Sequence, residues 1–433
     1  MSEKITYISA AQYEDEVLKA DRAVVDFYST ECPPCEALAS KYEGLSELYG
    51  SDIKFIKIFR QENRELAESM GVTSSPTVLF YDGGKQVGDT LRGGIKRADL
   101  MRNLNALLSE KRAREIESEI KPVQTKCDVL IIGGGPAGLT AGIYSAQAML
   151  DTILVDVALP GGWVTTTHQV SNYPGFADPI QGFMLSHQMS EHAKAAGVKF
   201  RPAVDVTAVD LEKKEIVIDS FETIRAKKIV IATGSSPRLL GVKGEKEYRG
   251  RGISYCATCD AKYYQDKDVI VIGGGNSAIE ESLFISRFAR KITIVHQFDH
   301  LQAHKVLQEK AFSNDKIDFV WEHEPREFVK NGTSVNKVVV EELKTGKMKT
   351  LDCDGVFIFA GTQPNLELFN GHFKLDQWGY VETDGDMRSS IPGVFVVGDI
   401  RSKKYRQITT AVSDGTIAAM AIARELETEE AVS

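Results

Sequence analysis

The chain has 433 residues, 42% apolar and 26% charged, with a formal net charge of −9. That length allows about three domains with packed cores, and the acidic balance argues against a nucleic-acid or anionic-membrane partner. No apolar run reaches the length of a membrane span, and MSEKITYISAAQYEDEV does not read as a secretory leader. A cytoplasmic enzyme is expected, in which paired cysteines among the six serve catalysis or metal binding rather than structural stapling.

Residues 1–108 are expected to form one small unit. RAVVDFYS and IKFIKIF are β-rich, CEALASKYEGLSELYG has a helical period, and SSPTVLFYDGGKQVGDTLRGG reads as a hairpin. ADLMRNLNALLSEKRAREIESEI continues as a helix that becomes almost wholly charged after Leu108, with Pro122 as its stop. Residues 109–124 are therefore expected to be a linker with a reach of about 24 Å. From Cys127 the texture changes to strand, glycine turn and helix in CDVLIIGGGPAGLTAGIYSAQ, and KDVIVIGGGNSAIEESLFISRF repeats it. Together with KKIVIATGSSP, DGVFIFAGTQPN and PGVFVVGDI, these runs predict an α/β fold with parallel sheets and crossover helices.

Gly133, Gly135 and Gly138 fit G-x-G-x-x-G, and Asp156 ends the next strand near the distance of a ribose-binding acid. Such glycines permit a tight turn and let backbone approach a pyrophosphate, which the helix N-terminus then faces. Gly273, Gly275 and Ala278 form a second copy, so two dinucleotides are expected, a flavin and a nicotinamide.

Cys32 and Cys35 enclose Pro33 and Pro34, and Cys256 and Cys259 form a second C-x-x-C pair. Each pair can store two electrons as a disulfide, with one exposed thiolate attacking and the other cysteine resolving. Cys32 precedes a helix whose dipole favours its thiolate, so it is the expected attacker and Cys35 the resolver. Zinc is the competing use, but zinc sites space such pairs about 15–20 residues apart. No metal site is expected. Cys127 and Cys353 flank apolar strands and are expected to be buried and inert.

IIGGGPAGLTA, PGGWVTTTHQVSNYPGF, IVIATGSSP, CATCD, VIGGGNSAIEE, FAGTQPN, VVGDI and YRQITTAVSDGTIAA together resemble the low-molecular-weight thioredoxin reductases, in family order from about Cys127 to the end. Residues 21–108 resemble thioredoxin, through VVDFYSTECPPC and the SSPT that carries the family's cis-proline at Pro76. The resemblance implies a thioredoxin fold followed by two Rossmann-like, three-layer domains of the pyridine nucleotide-disulfide oxidoreductase class. The FAD domain would comprise 125–240 and 366–433, and the NAD(P) domain, carrying Cys256 and Cys259, would be inserted at 241–365. FAD would be held by Gly133, Gly135, Pro136, Ala137, Gly138, Asp156, Gly162, Asn172, Thr233, Gly234, Gly398, Asp399, Arg406, Gln407 and Ile408. The nicotinamide nucleotide would be held by Gly273, Gly275, Asn276, Ser277, Ala278 and His296.

The resemblance also implies roles. Cys259 would lie against the flavin with Asp260 as acid/base, while Cys256 attacks the next disulfide. In the N-terminal unit Asp26 would be the buried carboxylate for proton transfer, Lys57 its neighbour, and Pro76 in cis would expose backbone to a substrate segment. Electrons would run from NAD(P)H to FAD, to Cys256–Cys259, to Cys32–Cys35 and on to protein disulfides, peroxiredoxins among them, in a homodimer.

The sequence departs from the family in places. Where NADPH-using members carry a His-Arg-Arg cluster and a later Arg, this chain reads VHQFDHLQAHKVLQ, keeping His296 but offering Gln297, Phe298 and Gln302. Neutral side chains do not replace guanidiniums opposite a 2′-phosphate, so NADH is the expected donor. HKVLQEKA is similar to the NADH-using flavoprotein of alkyl hydroperoxide reductase, a donor to a peroxiredoxin and one alternative reading; a ferredoxin-fed flavin enzyme is another. Glu31 and Tyr28 stand where thioredoxins usually carry tryptophan, and Trp163 stands where a glutamine is common near the flavin.

Overall fold

The computed structural model describes residues 4–432 apart from 168, 169, 171, 333 and 370, and of 259, 331, 430 and 432 it describes the backbone alone. The N-terminal unit is a five-stranded sheet in the order Ile5–Ile8, Lys54–Phe59, Arg22–Tyr28, Thr77–Asp82, Lys85–Arg92. Every residue from Ala23 to Phe27 is buried, as a central strand covered on both faces requires. On one face Leu38, Tyr42 and Leu45 of α1 (Pro33–Tyr49) meet Leu100 and Leu104 around Phe55 and Phe80. On the other face Ala67, in the short α2 (Arg64–Ser69), packs with Val25, Phe27 and Ile56. Thr77–Asp82 and Lys85–Arg92 pair antiparallel, the expected hairpin.

The charged stretch beyond Leu108 is not one continuation of the preceding helix. That helix, α3 (Arg97–Ala106), ends first. Ser109 then caps α4 (Glu110–Ser118), its side chain accepting from the Arg112 N–H. Ile116 of α4 is fully buried in the same core as Tyr49 and Leu104, and Arg112 pairs with Asp52 at 2.9 Å. Much of the expected linker 109–124 is thus helix docked on the N-terminal unit, which ends before Pro122 is reached. Ala113 and Ile116 make a stripe too narrow to stand out among charges, yet wide enough to seal a core already formed by other elements.

The second sheet runs Lys199–Arg201, Thr152–Val155, Val123–Ile132, Glu222–Ile231, Glu215–Ile218, Val206–Asp210, with Val394–Val396 pairing parallel to Ile229–Ile231. Against it lie α5 (Pro136–Gln147), α6 (Gly182–Ala195) and the last helix (Ile408–Val432). The third sheet is wholly parallel, in the order Ile253–Ser254, Gly355–Ile358, Asp268–Ile272, Lys291–His296, Ile317–Trp321. One of its faces is covered by α7 (Ala257–Asp260), α8 (Asn276–Ile285) and α9 (Lys305–Phe312), the other by a three-stranded antiparallel sheet, His323–Asn331 to Met348–Asp352.

The two strand–glycine–helix repeats therefore lie in two different sheets. The chain passes between them twice, at Ser235–Pro237 and Thr362–Pro364, and these two crossings pair antiparallel. Asn365 ties them, its Nδ2 donating to Thr233 O at 2.7 Å while Thr233 Oγ1 donates to Asn365 O at 2.9 Å. Cys127 and Cys353 are free and buried, and burial pushes both thiols up to about 12.

Ile116→Ala should destabilise the N-terminal unit by about 2–5 kcal/mol, the range for emptying a closed core site. Hydrogen exchange of the Arg22–Tyr28 amides measures it; a change within about 0.5 kcal/mol would mean that α4 adds nothing to the core and serves only as the expected linker.

Candidate functional site

Arg22–Tyr28 leads through a short loop to Cys32, which is the N-cap of α1. Pro33 and Pro34 occupy its first turn, where a missing N–H leaves no helical bond unmade. Cys32 and Cys35 form a disulfide with a Cα–Cα separation of 5.2 Å, and Cys35 N–H donates to Cys32 Sγ at 3.3 Å. The Ser75–Pro76 bond is cis, and Ser75 O lies 3.5 Å from Cys32 Sγ. An anchor for this loop escaped the sequence reading. Ser75 Oγ accepts from Ser29 Oγ at 2.7 Å and from Arg60 Nε at 2.9 Å. Serine and arginine separated by up to 46 residues give no linear signal of a shared loop.

Asp26 is buried in the same unit, with Lys57 Nζ 3.6 Å from its Oδ2. Burial raises its pKa to about 6, and the Lys57 ammonium pulls the other way without cancelling it.

A cavity of about 530 Å³ lies along the second sheet and reaches the segment before α7. Its walls include Gly133, Gly135, Pro136, Ala137, Asp156, Gly162, Asn172, Thr233, Gly234, Gly398, Asp399, Arg406, Gln407 and Ile408. Gly138 alone of the expected flavin residues is not at the wall. It lies beneath, where a Cβ would stand 1.9 Å from Gly133 O, so it sets how closely α5 meets the turn.

The cavity has the character that a dinucleotide flavin needs. The first residues of α5 are at the wall, next to glycine backbone that a pyrophosphate can approach. Asp156 Oδ2 accepts from Gly134 N–H at 2.6 Å and Oδ1 from Ala158 N–H at 2.8 Å, which fixes the carboxylate at the turn. Ile132, Val155, Val164 and Ala232 supply apolar wall for a ring system. Asn172 Nδ2 donates to Gln407 Oε1 at 3.2 Å, closing one side.

Cys256 lines this same cavity and is disulfide-bonded. The Cys259 side chain lies outside the described residues. Ser254 Oγ donates to Asp260 Oδ2 at 2.6 Å, and Cys256 N–H donates to Ser254 Oγ at 3.2 Å. Ser254 thus holds the Asp260 carboxylate beside the cysteine backbone, a role for which the sequence carries no motif.

The second glycine turn opens α8, with Gly273 at φ +131°, Gly275 as N-cap and Asn276, Ser277 and Ala278 in the first turn. Asn276 Oδ1 accepts from His304 N–H at 2.7 Å, and Gln302 N–H donates to Gly274 O at 2.9 Å. His296 ends its strand buried, with its ring against Gly274 and edge-on to Phe298 and Trp321. Burial, then His300, lowers its pKa, so it offers a neutral ring. Beyond it, Asp299 Oδ1 meets His300 Nδ1 at 2.7 Å.

Trp163, at the cavity wall, has a partner on the far side of the crossing strands. Arg249 Cζ lies 3.5 Å from the Trp163 ring centre and 5.7 Å from that of Tyr255, whose hydroxyl donates to Glu245 at 2.9 Å. This stack joins the flavin-type wall to the residue next to Cys256.

Residues 127–415 match the pyridine nucleotide-disulphide oxidoreductase family, and residues 4–106 match thioredoxin. The thioredoxin reductase of Bacillus subtilis is 40% identical over 300 residues, 69% of this chain and 95% of the relative. A 34.2 kDa protein in the rubredoxin operon of Clostridium pasteurianum is 43% identical over 298 residues, 69% of this chain and 96% of that protein. The crystal structure of thioredoxin reductase from Streptococcus pyogenes superposes with a TM-score of 0.64 at 40% identity, covering 70% of this chain and 99% of its own. That of Giardia duodenalis gives 0.64 at 33% identity, covering 70% and 100%. No helix among the described residues is long and apolar enough to cross a membrane.

Asp26 generates a pH signature. Its folded pKa of about 6 exceeds the ordinary carboxylate value of 3.8, so the folded state keeps the proton longer, and stability falls as pH rises between these values. The loss approaches about 3 kcal/mol and then levels off. Asp26→Asn should abolish this slope in amide-exchange measurements of the N-terminal sheet from pH 4 to 8; an unchanged slope would assign it elsewhere.

Proposed function

We propose, for a chain that belongs to the pyridine nucleotide-disulphide oxidoreductase family and joins a thioredoxin domain to a thioredoxin reductase homologue, that electrons run from NADH through FAD and Cys256–Cys259 to Cys32–Cys35, and from there to protein disulfides. The chain is an FAD-dependent NAD(P)H disulfide oxidoreductase. In this reading 125–240 with 366–433 bind FAD, 241–365 bind the nicotinamide nucleotide, and two copies form a homodimer. The observation that carries it is the place of Cys256, on the wall of the cavity lined by all but one of the expected flavin residues.

The nicotinamide supplies a hydride, and FAD, when bound, relays its electron pair to a disulfide. The rest is thiol chemistry of this chain. Two electrons and two protons convert the Cys256–Cys259 disulfide to two thiols, with Asp260, held by Ser254, as the proton carrier. The Cys256 thiolate attacks the Cys32–Cys35 bond, and Cys259 resolves the mixed disulfide. That step leaves the later pair oxidised and the N-terminal pair reduced. Cys32 then attacks an outside protein disulfide, Cys35 resolves it, and Asp26, ionising near neutral pH, accepts the Cys35 proton. Peroxiredoxins are among the candidate acceptors.

The preference for NADH rests on the end of the Lys291–His296 strand. A 2′-phosphate there would meet a neutral His296, the Phe298 ring and the Asp299 carboxylate. His300, His304 and Lys305 are the exposed basic candidates nearby, but His300 already pairs with Asp299 and Asn276 engages the His304 backbone. A dianion without a guanidinium partner loses its strongest recognition.

Two measurements test this reading. In Cys256→Ser, NADH should still bleach the flavin, while reduction of Cys32–Cys35 falls to background; a normal rate of filling would break the proposed order. In steady-state kinetics kcat/KM should favour NADH over NADPH by at least about tenfold, or about 1.4 kcal/mol, and the reverse ratio would reject the donor assignment.

A further inference from the structure

The N-terminal unit does not hang free. Lys41, in the middle of α1, is buried, and its ammonium donates to Ile95 O at 3.1 Å, Pro202 O at 2.9 Å and Ala203 O at 2.7 Å. One acceptor belongs to its own unit and two belong to the reductase body. Burial draws its pKa down to about 8, against the pull of Asp219 and Asp205. A charge so placed is held by carbonyls from both sides, and parting the two units would strip away two of the three.

Charge complementarity surrounds this contact. Lys96 pairs with Asp205 at 2.5 Å, the Arg97 guanidinium lies 4.7 Å from the Phe221 ring centre, and Glu36 pairs in the opposite sense with Lys194 of α6 at 2.7 Å. Gly94 approaches so closely that a Cβ there would stand 3.3 Å from Leu159 Cγ. Beside these contacts a cavity of about 240 Å³ has Pro33, Pro34 and Glu36 on one wall and Phe183, Ser186 and His187 on the other.

These contacts fall on one flank of the dithiol. Cys32 Sγ is 3.5 Å from Ser75 O, and Gly93 N–H donates to Pro76 O at 3.3 Å, so Cys32, the Ser75–Pro76 loop and Gly93–Gly94 form one rim. Gly94 is the part of that rim against the reductase body. Cys256 lines the larger cavity, and among the described residues the two cavities have no lining residue in common. The tether is short. Only 119–122 separate α4 from the strand that starts at Val123, about 14 Å at full extension.

We propose that Leu159, Lys194, Pro202–Asp205 and Phe221 form a docking site for this chain's own thioredoxin unit, which parks there with one flank of its substrate rim covered and must leave before Cys32 exchanges with a protein disulfide. The site's function rests on the electron route above, but docking itself is read without turnover. The parked state keeps the module close to the reductase at high effective concentration. It also delays contact of the reduced dithiol with outside proteins until the module undocks.

The test is a charge swap at the half-exposed pair Lys96–Asp205. Lys96→Glu and Asp205→Lys should each enlarge the maximum dimension in small-angle X-ray scattering of the whole chain. Each should also speed insulin reduction by dithiothreitol-reduced, repurified protein several-fold, and the double variant should return both readings toward wild type. Lys41→Met should act in the same direction; should it fail to fold, the charge pair alone decides. Unchanged scattering in both single variants, or no recovery in the double variant, would overturn the docking site. Larger dimensions with unchanged insulin rates would remove the covering role, and docking lost on dilution would transfer the site to a second copy. The electron route is judged separately, because Cys256→Ser reads it and scattering does not.

Discussion

Thiol–disulfide exchange proceeds only when the attacking sulfur reaches the bond it breaks, so where each dithiol can be at one moment governs everything else in this chain. Cys256 lies on the flavin-type cavity, while Cys32 caps α1 on a unit parked against a different part of the same body. One polypeptide thus holds both cysteine pairs in separate places, and in the proposed route transfer between them is a matter of relative motion. The crossing strands Ser235–Pro237 and Thr362–Pro364 are the narrow connection between the two sheets of the reductase body. The 119–122 tether is the corresponding connection for the N-terminal unit.

Motion on that scale needs contacts that hold and release. Several links between units are polar or cationic: Arg249 over the Trp163 ring and near Tyr255, Lys41 on three carbonyls, Lys96 against Asp205. Each is satisfied in the docked arrangement, and each cation regains hydration when the units part, which keeps the difference between the two states small. Asp26 shows the opposite economy. It lies inside the N-terminal unit, and burial holds its proton into the near-neutral range.

Much of the site was legible in the sequence because its chemistry is local. A glycine turn between strand and helix is written in consecutive residues, and so is a C-x-x-C pair ahead of a helix. All the expected flavin residues but Gly138 reach one cavity wall, and Gly138 has the packing duty that its place in the motif assigns. The linker was misjudged for a physical reason. α4 buries only Ala113 and Ile116, and a narrow apolar stripe acquires meaning from the core it completes. Ser254, Ser75, Arg249 and Lys41 stayed hidden because each acts on a group brought near by folding or by the docking of one unit on another.

By itself the sequence determined the thioredoxin and reductase units and their order and marked candidate electron carriers, since periodicity, glycine turns and paired cysteines act over a few neighbouring positions. The tertiary structure decided which of those residues share a cavity, that His296 is a buried neutral ring, and that the N-terminal module rests on the reductase body. Those outcomes depend on burial and on distances between residues far apart in the chain, quantities that exist only once the chain has closed on itself.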